Sequence, residues 1–267
     1  MSVLDLPPPP ADERVPYGPE AAQFGDLRLP ARPTNAPLAV VIHGGFWRAK
    51  YDLGHIGHLC AALTREGFAT WSLEYRRVGM PGGGFPGTLL DVARAADFVP
   101  ELARRFSLDA GRTVVVGHSA GGHLALWLCG RRNVGERSPL AAAHPFRFRG
   151  AVPLAPIPDL VEAHRLGLGG GIVEQLMGGP PETGEDRYAA ASPGQLLPHG
   201  VPSAVVHGTE DEDVPFRLSE RFVAQARASG DQAELRALRG LGHFEPIDPA
   251  SAAWPIVLDS VRLRAGV

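Results

Sequence analysis

Residues 113–129, TVVVGHSAGGHLALWLC, read as a buried strand, a tight turn and an apolar helix in unbroken succession. The run TVVV is short, β-branched and bounded by glycine, which suits a strand buried on both faces. Residues 120–128 carry apolar side chains almost throughout and suit a buried helix. Between them stands Gly117-His118-Ser119-Ala120-Gly121, a G-x-S-x-G sequence. In a chain with 33 glycines the motif alone says little. Its position between a strand and a helix is what a nucleophile elbow requires. A serine in so sharp a turn presents its hydroxyl at the carboxyl edge of the sheet, and the following helix points its positive end at the site.

Working outward, the same rhythm recurs. Residues 38–42 (LAVVI), 68–73, 151–154, 203–206 and 234–238 read as strands, and residues 54–66, 88–105, 216–228 and 250–263 as helices. Repeated β-α-β units predict one α/β domain over residues 1–267, with a mainly parallel sheet and helices on both faces. No internal repeat is visible. Residues 1–20, rich in proline, are expected to form an irregular arm. Residues 156–202, with GLGGG at 167–171, break the rhythm and are expected to form a lid or pocket insertion.

Serine needs a base. Of ten histidines, His243 lies in the loop between the last strand and the last helix, again at the carboxyl edge. The base needs an acid to hold its tautomer. Glu210, Glu212, Asp211 and Asp213 share one loop after the strand at 203–206, and residue chemistry alone does not choose among them. A developing oxyanion needs backbone amides. Ala120, next after the serine, supplies one, and the His43-Gly44-Gly45-Phe46-Trp47 loop after the strand at 38–42 is placed to supply another.

Composition sets the outer bounds. A net charge of -3, with Lys50 the only lysine, gives no footprint for nucleic acid. No apolar stretch reaches the length of a membrane span, and residues 1–10 lack the pattern of a secretory signal. A cytoplasmic location is therefore expected. Cys60 and Cys129 read as buried free thiols. His55 and His58 lie one helical turn apart without a second ligand pair, so no metal and no cofactor is expected.

Taken together, HGGFW, GHSAGGHLA, HGTEDEDVP and GHF resemble the α/β-hydrolases related to kynurenine formamidase and to the feruloyl-esterase-like branch of the hormone-sensitive-lipase group. The resemblance runs from Tyr17-Gly18 to about Trp254. It implies a central sheet of about eight strands and a Ser-His-Asp triad of Ser119, His243 and Asp211. Gly45, Phe46 and Ala120 match its oxyanion positions. Spacing agrees with Asp211 over Asp213, because Asp211 leaves two residues before Val214-Pro215 for the turn into the helix. Arg76 and Asp91 also match the family and are expected to form an ion pair.

The expected chemistry is hydrolysis of a small carboxylic ester through an acyl-enzyme. The second reading is hydrolysis of an N-formyl arylamide, favoured by the Phe46-Trp47 pair beside the oxyanion loop. Trp47 and His118 are the expected pocket residues. The expected partner is a small-molecule ester or amide, with a homodimer allowed and neither nucleic acid nor membrane.

Overall fold

Period-two alternation sets which way each central strand faces. The computed structural model describes residues 3–267. In it, β3 (Pro37–Ile42) sends Leu38, Val40 and Ile42 into one apolar cluster, and Ala39 and Val41 into a second on the other face. β5 (Asp109–His118) does the same with Val115 against Val114 and Val116. Both faces are covered, so the strands show no polar alternation.

The remaining strands are β1 (Glu13–Pro16), β2 (Phe24–Arg28), β4 (Ala69–Leu73), β6 (Gly150–Leu154), β7 (Ser203–Gly208) and β8 (Ala233–Leu238). They form one eight-stranded sheet in the order β1-β2-β4-β3-β5-β6-β7-β8. β1 and β2 pair antiparallel, as do β2 and β4, and every other pairing is parallel. Helices α1 (Gly57–Arg65) and α8 (Trp254–Ala265) cover one face, while α2 (Gly87–Phe106) and α3 (Ala120–Gly130) cover the other. α7 (Arg217–Ala228) packs Phe222 and Val223 beside Val205 of β7.

Two expectations need correction. Residues 1–20 are not irregular throughout, because residues 13–16 form the edge strand β1. Arg14 opposes Asp26 across the ladder with a 2.8 Å ion pair and lies over the Phe24 ring. This pairing leaves no apolar run in ERVP or FGDLR to read. Pro16 ends the strand at the sheet edge, where its missing N–H is tolerated. The 156–202 insertion is also less open than a free lid. It folds into α4 (Leu160–Arg165), α5 (Ile172–Met177) and α6 (Glu185–Ala191), whose Leu160, Ile172, Met177 and Tyr188 join the larger core.

Cys60 and Cys129 are buried and unpaired. Among the described residues, no helix is long and apolar enough to cross a membrane.

Arg76 and Asp91 do form an ion pair. The Arg76 guanidinium donates twice to Asp91, at 2.7 and 2.8 Å, and the Arg76 amide donates to it at 2.9 Å. Gln23 Nε2 adds a fourth bond at 2.6 Å. The carboxylate is fully buried in α2, so it ties the chain after β4 and the turn before β2 to one point. Removing it leaves the partly exposed Arg76 guanidinium, the Arg76 main-chain amide and the buried Gln23 amide without their acceptor. Asp91→Ala is therefore expected to lower stability by about 2–4 kcal/mol in urea unfolding. A loss below about 1 kcal/mol, the range of exposed pairs, would contradict this anchoring role.

Candidate active site

Ser119 sits between β5 and α3 with φ 56° and ψ -118°. A non-glycine residue holds such a conformation only where its surroundings enforce it. Here two glycines do so. A Cβ on Gly117 would lie 2.1 Å from the Gly121 carbonyl oxygen, and one on Gly121 would lie 2.1 Å from that of Ile42. The Ser119 amide donates to Leu154 of β6 at 2.8 Å, which fixes the turn from the other side.

His243 lies between β8 and α8. The loop that carries it is joined by main-chain bonds to the loop after β7: Thr209 N donates to Leu238 O at 3.0 Å, and Glu210 N to Leu241 O at 3.0 Å. Gly208 permits the approach, since a Cβ there would meet Leu241 O at 2.2 Å. Asp211 and His243 are thereby brought together, and His243 Nδ1 donates to Asp211 Oδ2 at 2.6 Å. Asp213, the competing carboxylate, is exposed and instead donates its own amide to Asp211 Oδ1 at 2.9 Å.

Asp211 has every acceptor position occupied. Oδ1 also takes the Val214 amide at 2.7 Å, and Oδ2 also takes His207 Nε2 at 3.0 Å. Burial works against ionisation of this carboxyl, but the bonds from His207 and His243 outweigh it and hold it well below the usual carboxylate range. His207 is itself fixed, because its Nδ1 meets the Ser219 hydroxyl at 2.7 Å. With His243 Nδ1–H committed to Asp211, its Nε2 is left unprotonated in the neutral ring.

Ser119 and His243 line one cavity of about 460 Å³. The oxyanion candidates stand beside the serine. A Cβ on Gly44 would be 3.1 Å from Ser119 Cβ, so the loop after β3 passes against the turn. Gly45, Phe46 and Trp47 have φ of 103°, 50° and 53°. Among the described residues, neither the Phe46 amide nor the Ala120 amide has a protein acceptor. Both can therefore receive a negatively charged oxygen.

Of the two expected pocket residues, His118 backs the cavity without exposed surface. Trp47 does not reach it. Trp47 is fully buried in the core, edge-on to His123 at 5.2 Å. The cavity wall comes instead from Leu4, Leu6 and Pro8 of the amino-terminal arm, from Gly45, Phe46, Tyr51 and His55, and from Phe244. The 156–202 insertion contributes no lining residue, contrary to expectation. It supports Phe46 from behind, where a Cβ on Gly169 would touch the ring at 2.7 Å.

A buried polar group behind the loop that follows β3 has no counterpart in the sequence reading. Glu74 binds His43 Nε2 at 3.2 Å and Arg77 at 2.8 Å, and Tyr75 Oη donates to the His43 carbonyl at 2.9 Å. Arg77 also donates to the Tyr51 carbonyl. Burial disfavours the Glu74 charge, but His43 and Arg77 more than offset it and hold its carboxyl below the ordinary value. The EYRR run directly after a strand was the available signal: its Tyr75-Arg76 pair matches the family, but Glu74 and Arg77 belong to no motif.

A family model, BD-FAE, matches residues 26–225. A probable isoprenylcysteine alpha-carbonyl methylesterase of Oryza sativa subsp. japonica is 27% identical over 86% of this chain and 57% of its own length. The probable carboxylic ester hydrolase LipM of Mycobacterium tuberculosis is 27% identical over 85% of this chain and 54% of its own. The chain thus spans little more than half the length of these two relatives. Among solved structures, a truncated carbohydrate esterase from gut microbiota superposes with a TM-score of 0.81 at 20% identity, covering 97% of this chain and 99% of that one. Native esterase 2 of Thermogutta terrifontis superposes at 0.75 and 22% identity, covering 94% and 91%. These two likenesses establish the fold.

Three histidines, His55, His118 and His243, meet at the cavity, but burial holds two of them neutral. It pushes His55 down to about 3 and His118 well below its ordinary value. A base must be neutral to accept a proton, so kcat/KM for an ester is expected to rise with pH along one limb of unit slope. A slope near two between pH 5 and 8, or a flat profile with chemistry limiting, would contradict a single histidine base.

Proposed function

The chain belongs to the BD-FAE family and has the α/β-hydrolase fold, and from that premise we propose that it is a carboxylic ester hydrolase acting through Ser119, His243 and Asp211. The observation that carries this reading is the Asp211–His243 bond at a cavity that Ser119 also lines. His243 takes the Ser119 proton as the hydroxyl attacks the ester carbonyl carbon. The oxyanion forms against the amides of Phe46 and Ala120, with Gly45 shaping the loop. Asp211 stabilises the imidazolium, which then protonates the departing alkoxide. Water, activated by the same histidine, releases the acid from the acyl-enzyme.

The cavity supports a small, partly apolar ester. About 460 Å³ lies in the ordinary range of small-molecule sites. Of the eight large apolar side chains exposed among the described residues, Leu4, Leu6, Tyr51 and Phe244 line this one cavity. Exposed apolar surface gathered in a concave site is better explained by a ligand than by chance. The relatives named above as esterases agree with this class. The N-formyl arylamide reading keeps only Phe46 of its aromatic pair at the cavity, since Trp47 lies in the core. A cytoplasmic location and action without a metal or cofactor remain part of the proposal.

Two measurements test it. An organophosphonate is expected to label Ser119 stoichiometrically, and Ser119→Ala to lose on the order of 10⁶ in kcat. Asp211→Asn is expected to lose on the order of 10⁴ by stabilising the wrong tautomer of His243. Asp213→Asn, by contrast, stays within roughly tenfold, because its carboxylate serves no bond to the base. Labelling at another residue, or a larger loss at Asp213 than at Asp211, would overturn the assignment.

In a series of p-nitrophenyl acetate, butyrate and octanoate, kcat/KM is expected to be highest for acetate or butyrate. N-formylkynurenine should turn over more slowly than either. A preference for octanoate or for the formamide would redefine the substrate class.

A further inference from the structure

His118 Nε2 lies 2.8 Å from the main-chain carbonyl oxygen of His243. A carbonyl can only accept, so His118 carries its proton on Nε2. Its Nδ1 is then an acceptor, and His55 Nε2 lies 2.8 Å from it. His55 must donate there. One fixed acceptor, the His243 carbonyl, thus sets the tautomers of two histidines in series. The rings follow the same line: His55 and His118 stack at 5.0 Å, His118 and His243 at 4.6 Å, and Phe244 closes the group at 5.8 Å from His118.

We infer that His118, held in one tautomer by the His243 carbonyl and capped at its other nitrogen by His55, is a positioning residue that fixes the main chain of His243 and so aims the catalytic imidazole. The inference rests on the esterase reading above. His243 is pinned at two points, its ring at Nδ1 by Asp211 and its carbonyl by His118. Between these two anchors few torsions are free, so the direction of Nε2 is set.

The choice of a buried histidine also follows from charge. During turnover His243 becomes an imidazolium, and a second cation 4.6 Å from it would oppose that step. His118 is wholly buried and stays neutral. The titratable groups that face the pair are His243 and Asp211 beside His118, and His43 and His243 beside His55. A lysine would make the same bond to the carbonyl but bring the charge.

The test uses the full chain with p-nitrophenyl acetate. His118→Phe keeps a ring and removes both nitrogens. Its kcat is expected to fall roughly 10- to 100-fold, the scale of a misaimed catalytic group, with KM changed less than about threefold. His118→Gln retains a donor and an acceptor on one planar group and should recover kcat to within about fivefold of the parent. Nitrogen-15 NMR of ring-labelled histidine in the unmodified protein, with His118→Gln to assign the signal, should show His118 neutral and protonated at Nε2. The proposal is overturned if His118→Phe keeps kcat within about twofold, or if Phe and Gln are equally impaired, the mark of a packing role. Protonation at Nδ1 overturns it without reference to turnover. An unmodified protein with no esterase activity counts against the functional reading, while the nitrogen spectrum still decides the hydrogen-bond series.

Discussion

The turn at Ser119 constrains everything around it. A serine at positive φ costs on the order of 1–3 kcal/mol in an ordinary chain, and this one is kept there by contacts on three sides. Gly117 and Gly121 leave no room for a Cβ, β3 presses its Ile42 carbonyl against the helix start, and β6 receives the serine amide. The helix α3 can begin there only because it is buried along its whole length. Its apolar sequence, which reads as core, is thus also what makes a strained turn affordable. The hydroxyl is delivered by the central strands rather than by a mobile loop.

The parts of the molecule legible in the sequence are those in which backbone geometry dictates residue type. The elbow glycines, the glycine pair after β3 and the apolar strands all leave such a trace. His243 could be found because its loop falls at the correct edge. Asp211 could not be separated from its three acidic neighbours by residue chemistry. What distinguishes it is local: its Oδ1 accepts the amides of Asp213 and Val214, turning the other oxygen toward His243. Trp47 shows how adjacency misleads. Phe46 and Trp47 both have positive φ, so the chain reverses sharply and only Phe46 faces the cavity. β1 and β2 were illegible for another reason, since a charged cross-strand pair, Arg14 with Asp26, interrupts the apolar alternation a reader looks for.

The polar network behind the loop that follows β3 was equally invisible, and it solves a physical problem. Three successive residues at positive φ form a costly loop, which needs support from the protein interior. Glu74, Arg77, His43 and Tyr75 supply it through a buried set of mutual bonds. Each of these residues lies on or just after a central strand, so the loop inherits the rigidity of the sheet. Half of that network would be worse than none, because an unpaired buried charge destabilises more than the pair stabilises.

The amino-terminal arm and the carboxyl terminus face different fates in the laboratory. Leu4, Leu6 and Pro8 stand at the cavity mouth. The end of α8 packs beside Gly150, where β6 begins, and Gly266 lies against Arg149. Those contacts are at the amino edge of the strands, a sheet's length from the serine. A bulky group joined to the arm at Leu4 or Leu6 would crowd the entrance to the cavity. One joined after residue 267 would leave it untouched.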